Sequence, residues 1–125
     1  MRSRMRSELL KHRPGWFDLK QGPGGIVDIE FIVQYLVLLH AHTYPELMRW
    51  TDIVRLLQSL METGILDPHT AHTLRQIYLI YRAAGHRLSL QQSSHEIPEE
   101  RFAGLQQRVA GIWKAVLGNR AQTNL

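Results

Sequence analysis

Cysteine is absent from the 125-residue chain, and so is any long uninterrupted hydrophobic run. Without cysteine, neither a disulfide framework nor a thiolate metal site can form. The most apolar stretch, residues 29–39, is interrupted by Glu30 and Gln34, and it is shorter than the roughly 20 residues that span a bilayer. The N-terminus has scattered arginines and lacks the apolar core of a secretory signal. We therefore expect a soluble, cytoplasmic protein with no membrane partner.

The net charge of +4 arises at one end of the chain, where basic residues outnumber acidic ones. Positions 1–20 contain six basic and two acidic residues, whereas the rest of the chain has nine of each. A basic end on a balanced body is more typical of a solvated segment than of a DNA-binding surface. Nucleic acid is thus not the expected partner. A stand-alone helical interaction or nucleic-acid-binding module that uses this end remains the alternative hypothesis.

Strand-like alternation of polar and apolar residues is also missing, whereas four segments carry apolar residues at helical spacing. This pattern predicts an all-α fold: a bundle of four main helices with an irregular glycine-rich N-terminal segment. The bundle domain is expected over residues 18–117, followed by a tail at 118–125. The helices are predicted from Ile26 to about Thr43, from an N-cap at Thr51 to Gly64, from Pro68 after an Asp67 N-cap to about Gln91, and from Pro98 onward.

A glycine-rich loop leads directly into the first predicted helix, which is apolar on nearly every face and is expected to be buried. The loop cannot stay helical, because it places several glycines around Pro23. Backbone amides and the dipole at a helix N-terminus favour an anion. The loop does not match the Walker pattern, and a flexible connector is the simpler alternative. Its anion-binding candidates are Lys20, Gly22, Gly24 and Gly25.

Two carboxylates, Asp28 and Glu30, follow the loop within the first helix. Helical geometry places them about 200° apart, so they cannot jointly hold one ion. With Gly25 as N-cap, Asp28 lies at the third helical position, where it stabilises the helix N-terminus. Glu30 and Gln34 lie one turn apart on an apolar helix, so their burial would require partners. The candidate partners for a structural ion pair, the alternative to a direct functional role, are Arg82, His86 and Arg87 of the third helix.

No metal site or catalytic group is predicted from the residue pattern. His40 and His42 point to different sides of a helix, and His69 and His72 lack an obvious third ligand. No nucleophile–base pair is visible, and neither is a Gly-Ser followed by Asp-x-Asp that would hold catalytic magnesium. The chain is therefore expected to contain no catalytic residue and no metal ligand.

The segment Asp18-Leu19-Lys20-Gln21-Gly22-Pro23-Gly24-Gly25-Ile26-Val27-Asp28-Ile29-Glu30-Phe31 resembles the helical domain of glutamine synthetase adenylyltransferases. The resemblance covers most of residues 18–117. It continues through residues 32–38, Arg49-Trp50-Thr51-Asp52, Gly64-Ile65-Leu66, Tyr81-Arg82 and His86-Arg87-Leu88.

This resemblance implies a specific enzymatic setting. In that family a nucleotidyltransferase domain of polymerase-β type precedes such a bundle, and the pair occurs twice in one chain. One pair adds AMP to glutamine synthetase and the other removes it, under control of glutamine and the PII signal protein. Because the chain finishes soon after Trp113, it looks like the C-terminal bundle, in the adenylylating half. The related PII uridylyltransferases share the lysine–glycine loop but usually replace the pair Glu30-Phe31, so they are the weaker match.

The resemblance also implies roles for particular segments. The parent enzyme would use ATP and Mg²⁺, whereas this fragment would bind neither tightly and would be inactive alone. The loop from Lys20 to Gly25 would lie near the ATP phosphates at the junction with the nucleotidyltransferase domain, with Lys20 supplying charge. Asp28 and Glu30 would position the loop or face that domain. Residues 1–17 would be the tail of that domain plus a linker, with Trp16 and Phe17 exposed and packing against it.

Overall fold

The computed structural model describes residues 16–91 and 96–118. Within these two ranges, four α-helices pack around one hydrophobic core, which confirms the predicted all-α bundle. None of the described helices is long and apolar enough to cross a membrane. In chain order the elements are β1 (Trp16–Asp18), α1 (Ile26–His40), a 3-10 helix (Pro45–Arg49), α2 (Ile53–Glu62), α3 (Pro68–Leu90), β2 (Glu96–Pro98), α4 (Glu99–Trp113) and a π-helical turn (Lys114–Gly118).

The helix N-termini follow local capping chemistry. Gly25 is the N-cap of α1, as predicted. Asp67 caps α3 by accepting a hydrogen bond from the Thr70 amide at 3.0 Å, which confirms that prediction. The N-cap of α2 is Asp52 rather than the predicted Thr51, because the Asp52 carboxylate accepts from the Arg55 amide at 3.1 Å.

The connection between α2 and α3 is a glycine-terminated turn of the predicted kind. Gly64 adopts the left-handed conformation with φ +81°, and the Leu66 amide donates back to the Leu60 carbonyl at 3.1 Å. This pattern satisfies a carbonyl that the helix end would otherwise leave unpaired. Helix α1, in contrast, ends at His40, three residues before the predicted end, and a turn leads into the 3-10 helix.

The core lies between α1 and the other three helices, all of which α1 contacts. The apolar sequence of α1 predicted that the helix would be buried on every side, but one side is exposed. Phe31 and Leu38 are 45% and 72% exposed, and Gln34 is also exposed. The buried apolar side chains are Phe17, Leu19, Ile29, Ile32, Val33, Leu36, Val37, Leu47, Ile53, Leu56, Leu57, Leu60, Leu66, Ala71, Leu74, Ile77, Tyr78, Tyr81, Ala84 and Val109.

A two-stranded antiparallel pairing lies beside the bundle, where the sequence predicted only loops. Strands β1 and β2 pair with Phe17 opposite Ile97. Three-residue strands are too short to show alternation, so periodicity could not reveal them. The Phe17 side chain is only 2% exposed and contacts the Tyr81 ring, with centroids 5.9 Å apart. The expectation that Phe17 would be exposed and pack against another domain was therefore wrong.

Several expectations concern residues outside the described ranges. These are the domain tail predicted before residue 16 and the C-terminal tail after residue 118. Of Trp16, the structure describes the backbone alone. Of the predicted tail, Gly118 belongs to the π-helical turn that follows α4.

Candidate functional site

The glycine-rich loop before α1 begins with a turn that Asp18 organises. One carboxylate oxygen of Asp18 accepts hydrogen bonds from the amides of Lys20 and Gln21, at 3.0 and 2.9 Å. The Asp18 carbonyl accepts from the Gly22 amide at 2.8 Å. A short side chain that bonds to the backbone two and three residues ahead fixes a turn without help from a ligand.

A second set of hydrogen bonds joins the loop to the start of α1. The Ile26 amide donates to the Leu19 carbonyl at 3.0 Å, and the Val27 amide donates to the Lys20 carbonyl at 2.9 Å. The first amides of a helix have no acceptor within the helix itself. Here the preceding loop supplies those acceptors, and the Gly25 amide donates to the Gly22 carbonyl at 2.9 Å.

Asp28 ties the middle of the loop to the helix. Its carboxylate accepts a hydrogen bond from the Gly24 amide at 2.7 Å, and the residue is 6% exposed. Such a bond to an ionised carboxylate is stronger than one between neutral groups. The position in the first turn of α1 is the predicted one, and it also suits the positive end of the helix dipole.

Gly24 and Gly25 are required by close approach of the backbone. Gly24 has φ +79°, and a Cβ there would lie 2.8 Å from the Gln106 carbonyl oxygen in α4. A Cβ on Gly25 would lie 2.6 Å from the Leu19 carbonyl oxygen. The Gln106 side chain also donates to the Pro23 carbonyl at 3.3 Å. Gly24 therefore lets the loop pack tightly against α4, and Gly25 lets the loop fold closely on its own carbonyl at Leu19.

The hydrogen bonds decide what the loop can offer an anion. From residue 20 to residue 27, every backbone amide donates to an acceptor inside the chain, and Pro23 has no amide hydrogen. The backbone therefore presents no free N–H group for a phosphate, unlike a phosphate-binding nest. Glycines 22, 24 and 25 are buried, whereas Lys20 is exposed. The charge available to a neighbouring group is the Lys20 ammonium.

The amino-acid sequence of the chain is similar to known proteins over nearly its whole length. A family model described as GlnD PII-uridylyltransferase matches residues 1–124. The chain belongs to this family.

The relatives of this GlnD-family chain have a different name. The bifunctional glutamine synthetase adenylyltransferase/adenylyl-removing enzyme of Shewanella loihica is 49% identical over 119 residues, 95% of the chain. The enzymes of the same name from Methylococcus capsulatus and Nitrosococcus oceani are 47% and 44% identical over 117 residues. The chain spans 12% of the length of each relative. The predicted resemblance to this group of enzymes is confirmed.

The polar residues predicted to partner Glu30 lie on the surface of the GlnD-family bundle. Arg82 donates from Nη1 to the Tyr78 hydroxyl at 3.0 Å, and this bond raises the Arg82 pKa, with further contributions from Glu30 and Asp52. Glu30 is half-buried and acts on Arg82 through its charge. Three other polar residues of the predicted site are exposed, so none of them requires a buried partner: Gln34, His86 and Arg87.

The Tyr81 hydroxyl is a feature that sequence reasoning missed. It is fully buried, and among the residues described it has no hydrogen-bond partner. The rings of Phe17 and Phe102 flank it, with centroids at 5.9 and 5.8 Å. Burial raises the Tyr81 pKa, and the negative charge of Asp28 raises it further. The position of Tyr81 on the apolar stripe of α3 predicted a core residue but gave no sign of its hydroxyl.

The segment Arg49-Trp50-Thr51-Asp52, one of those that carry the family resemblance, has a structural role at the start of α2. Asp52 caps α2, and the Trp50 ring lies under the Arg55 guanidinium at 4.5 Å, with Arg49 at 5.8 Å. A nearby surface cavity of about 290 Å³ carries both signs of charge. Its lining residues are Glu46, Arg49, Trp50, Ser59, Glu62 and Thr63.

The histidines that the structure describes are not gathered into a metal centre. His40 is the last residue of α1 and His42 follows it, whereas His69 and His72 are exposed on α3. Within residues 16–91 and 96–118, no three histidine, aspartate or glutamate side chains come together in a way that could hold a metal ion.

Proposed function

We propose that this chain is the C-terminal helical domain of a glutamine synthetase adenylyltransferase, in the half that adds AMP. In this role it supports an adjacent nucleotidyltransferase domain of the same polypeptide. The observation that carries the proposal is the match of 95% of the chain to 12% of an enzyme with that name, at 49% identity. Such a match is expected of one domain within a much longer enzyme.

The glycine loop would act as a rigid support at the domain junction. Its amides bond to Asp18, Asp28 and loop carbonyls, so the loop needs no ligand to hold its shape. A preorganised loop loses little conformational entropy when a neighbour docks on it. Exposed Lys20 would supply a positive charge near the ATP phosphates, whereas Asp28 and half-buried Glu30 would position the loop or face the adjacent domain.

ATP and Mg²⁺ would act in the nucleotidyltransferase domain. The described residues include no acidic cluster suited to Mg²⁺, which prefers carboxylate ligands and phosphate oxygens. We assign no catalytic step to this chain and expect it to be inactive alone. Glutamine synthetase and the PII signal protein are the proposed partners, and the cytoplasm is the proposed compartment.

A PII uridylyltransferase is the second candidate for the parent enzyme. The family model that matches residues 1–124 carries that name. Under this proposal the same bundle would support a domain that transfers UMP to PII. The bundle's architecture suits both enzymes, because the chemistry would lie in the neighbouring domain.

The two candidates differ in nucleotide and acceptor protein. The full-length polypeptide would be purified and supplied with labelled ATP and glutamine synthetase, or with labelled UTP and PII. We expect AMP to be attached to glutamine synthetase in the first reaction and no UMP in the second. Transfer of UMP to PII would favour the second candidate. Activity of the isolated 125-residue chain with ATP would contradict the proposed division of labour.

A further inference from the structure

Helix α3 contains no acidic residue in its 23 positions. From residue 21 onward the chain has nine acidic and nine basic residues, and three of those bases are in α3. The basic residues of α3 are Arg75, Arg82 and Arg87, and the helix also contains three histidines, His69, His72 and His86. The helix therefore concentrates positive charge on a bundle whose charges balance only as a whole.

The solvent side of α3 also exposes large apolar side chains. Leu79 is 45% exposed, Ile80 is 43% exposed and Leu90 is 71% exposed. Leu79, Ala83 and Leu90 recur at spacings of four and seven residues, which places them on one stripe about 16 Å long. Exposed Arg75 lies one turn before that stripe, and exposed Arg87 lies within its length, between Ala83 and Leu90. We call these five residues, Arg75, Leu79, Ala83, Arg87 and Leu90, the α3 outer face.

The stability of the bundle does not account for this arrangement. A helix dipole favours cations within the last turn, which applies to Arg87 but not to Arg75. Arg82 bonds to Tyr78 and senses the charges of Glu30 and Asp52, so part of its charge is balanced within the chain. Neither Arg75 nor Arg87 forms an ion pair with a carboxylate in the described ranges. An exposed apolar stripe interspersed with arginines that have no carboxylate partner among the described residues is instead typical of a surface that another molecule covers.

We propose that the α3 outer face binds an acidic amphipathic helix of a partner protein. Leucines of that helix would pack along Leu79, Ala83 and Leu90, and its carboxylates would pair with Arg75 and Arg87. A small residue between two leucines allows close approach of a second helix, whose ridges fit the grooves of α3. Guanidinium groups suit the partner carboxylates because they form paired, directional hydrogen bonds.

An acidic protein helix fits this face better than a nucleic acid does. Nucleic-acid surfaces present phosphates, which need cations along the whole contact. Here the centre of the face is apolar, and Leu90 is 71% exposed. A phosphate backbone over that stripe would lose water and gain no partner. The proposal is also independent of the glycine loop, since it uses no residue from that site.

The test uses the intact 125-residue chain and fluorescently labelled probes. The main probe is a helical peptide of about 18 residues, or five turns, built from leucine and glutamate with the leucines on one face. A scrambled peptide of equal composition, a polyglutamate of equal charge and a short DNA duplex serve for comparison. Fluorescence anisotropy gives each Kd at low and physiological salt. We expect the amphipathic peptide to bind most tightly.

Substitutions then locate the binding surface. The pair Leu79→Ser and Leu90→Ser, and separately the pair Arg75→Glu and Arg87→Glu, should each weaken peptide binding by about tenfold or more. The matched controls, Leu38→Ser on exposed α1 and Arg108→Glu on exposed α4, should leave Kd unchanged. The proposal would be overturned if the amphipathic peptide did not bind at low salt, or if the scrambled peptide or DNA bound equally well. It would also be overturned if both double variants bound the peptide with undiminished affinity.

Discussion

At the scale of single residues, Asp28 shows how one side chain can define the site. Its carboxylate holds the Gly24 amide at 2.7 Å, while its charge helps to raise the pKa of buried Tyr81. The first interaction was foreseeable because it is local: the residue is at the third position of a helix with a glycine N-cap. The second depends on a residue 53 positions away in α3, so the sequence could not reveal it.

Gly24 is expected to be more sensitive to substitution than Gly64. Both have positive φ, which costs an alanine roughly 1–2 kcal/mol. A Cβ on Gly64 would meet nothing within 4 Å, whereas one on Gly24 would lie 2.8 Å from the Gln106 carbonyl oxygen. Urea unfolding should show that Gly24→Ala lowers the free energy of unfolding by at least about 1 kcal/mol more than Gly64→Ala does. Equal losses would contradict the tight packing of the loop on α4.

Tyr81→Phe is expected to stabilise the protein. The buried hydroxyl lacks a hydrogen-bond partner among the described residues, so its removal should raise the free energy of unfolding by about 1 kcal/mol. Tyr78→Phe is the control, because the Tyr78 hydroxyl accepts from Arg82 and its loss should be neutral or slightly destabilising. If Tyr81→Phe destabilised the protein by a comparable amount, the hydroxyl would have to be hydrogen-bonded in solution, and Asp28, whose charge acts on Tyr81, would be the candidate acceptor.

At the scale of elements, the start of each helix was easier to predict than the direction that its side chains face. Capping depends on one residue and its next three neighbours, so the Gly25 and Asp67 caps could be found from sequence. Helix α1 is apolar nearly all round, and its pattern therefore contains no information about which side meets the core. That is why Gln34 and Phe31 proved to be exposed.

The short strands β1 and β2 illustrate the opposite problem. Their pairing joins segments about 80 residues apart, and three residues are too few for a periodic signal. Burial of Phe17 follows from that pairing, so its environment could not be predicted either. The loop amides are a similar case, because the packing of Gly24 depends on Gln106 in α4. The loop glycines could be named as candidates from sequence, but the close approach of Gln106 to Gly24 could not be predicted.

The N-cap of α3 should make bundle stability depend on pH. The Asp67 carboxylate accepts hydrogen bonds from Thr70, and these lower its pKa below the ordinary value of 3.8. The bond from the Thr70 hydroxyl has the larger effect and the bond from the Thr70 amide the smaller one. The ionised carboxylate therefore stabilises the fold above pH 3.8, and this contribution is lost as the pH falls through the lower folded-state pKa. Urea unfolding of Asp67→Asn should show less loss of stability between about pH 5 and pH 3 than the unsubstituted chain. A Glu46→Gln control should keep the full loss, and identical profiles for Asp67→Asn and the unsubstituted chain would contradict this role.

At the scale of the whole molecule, we propose that the bundle acts as a support rather than as a complete catalytic unit. Its glycine loop is fixed by internal hydrogen bonds, and three elements meet there: β1, α1 and α4. The described residues contain no metal-binding cluster. Family membership and the 12% coverage of the relatives agree with a domain that acts beside others. The central claim is that such a domain presents Lys20 to a neighbouring nucleotidyltransferase.

That claim is tested most directly by the rate of AMP transfer to glutamine synthetase in the full-length polypeptide carrying Lys20→Ala. Lys114→Ala, another exposed lysine, is the matched control. We expect Lys20→Ala to lower the rate by about 10- to 100-fold, because a charge near the transferred phosphate is lost, while the melting temperature stays unchanged. Lys114→Ala should retain the normal rate. An undiminished rate for Lys20→Ala would contradict the account and reduce the loop to a structural connector.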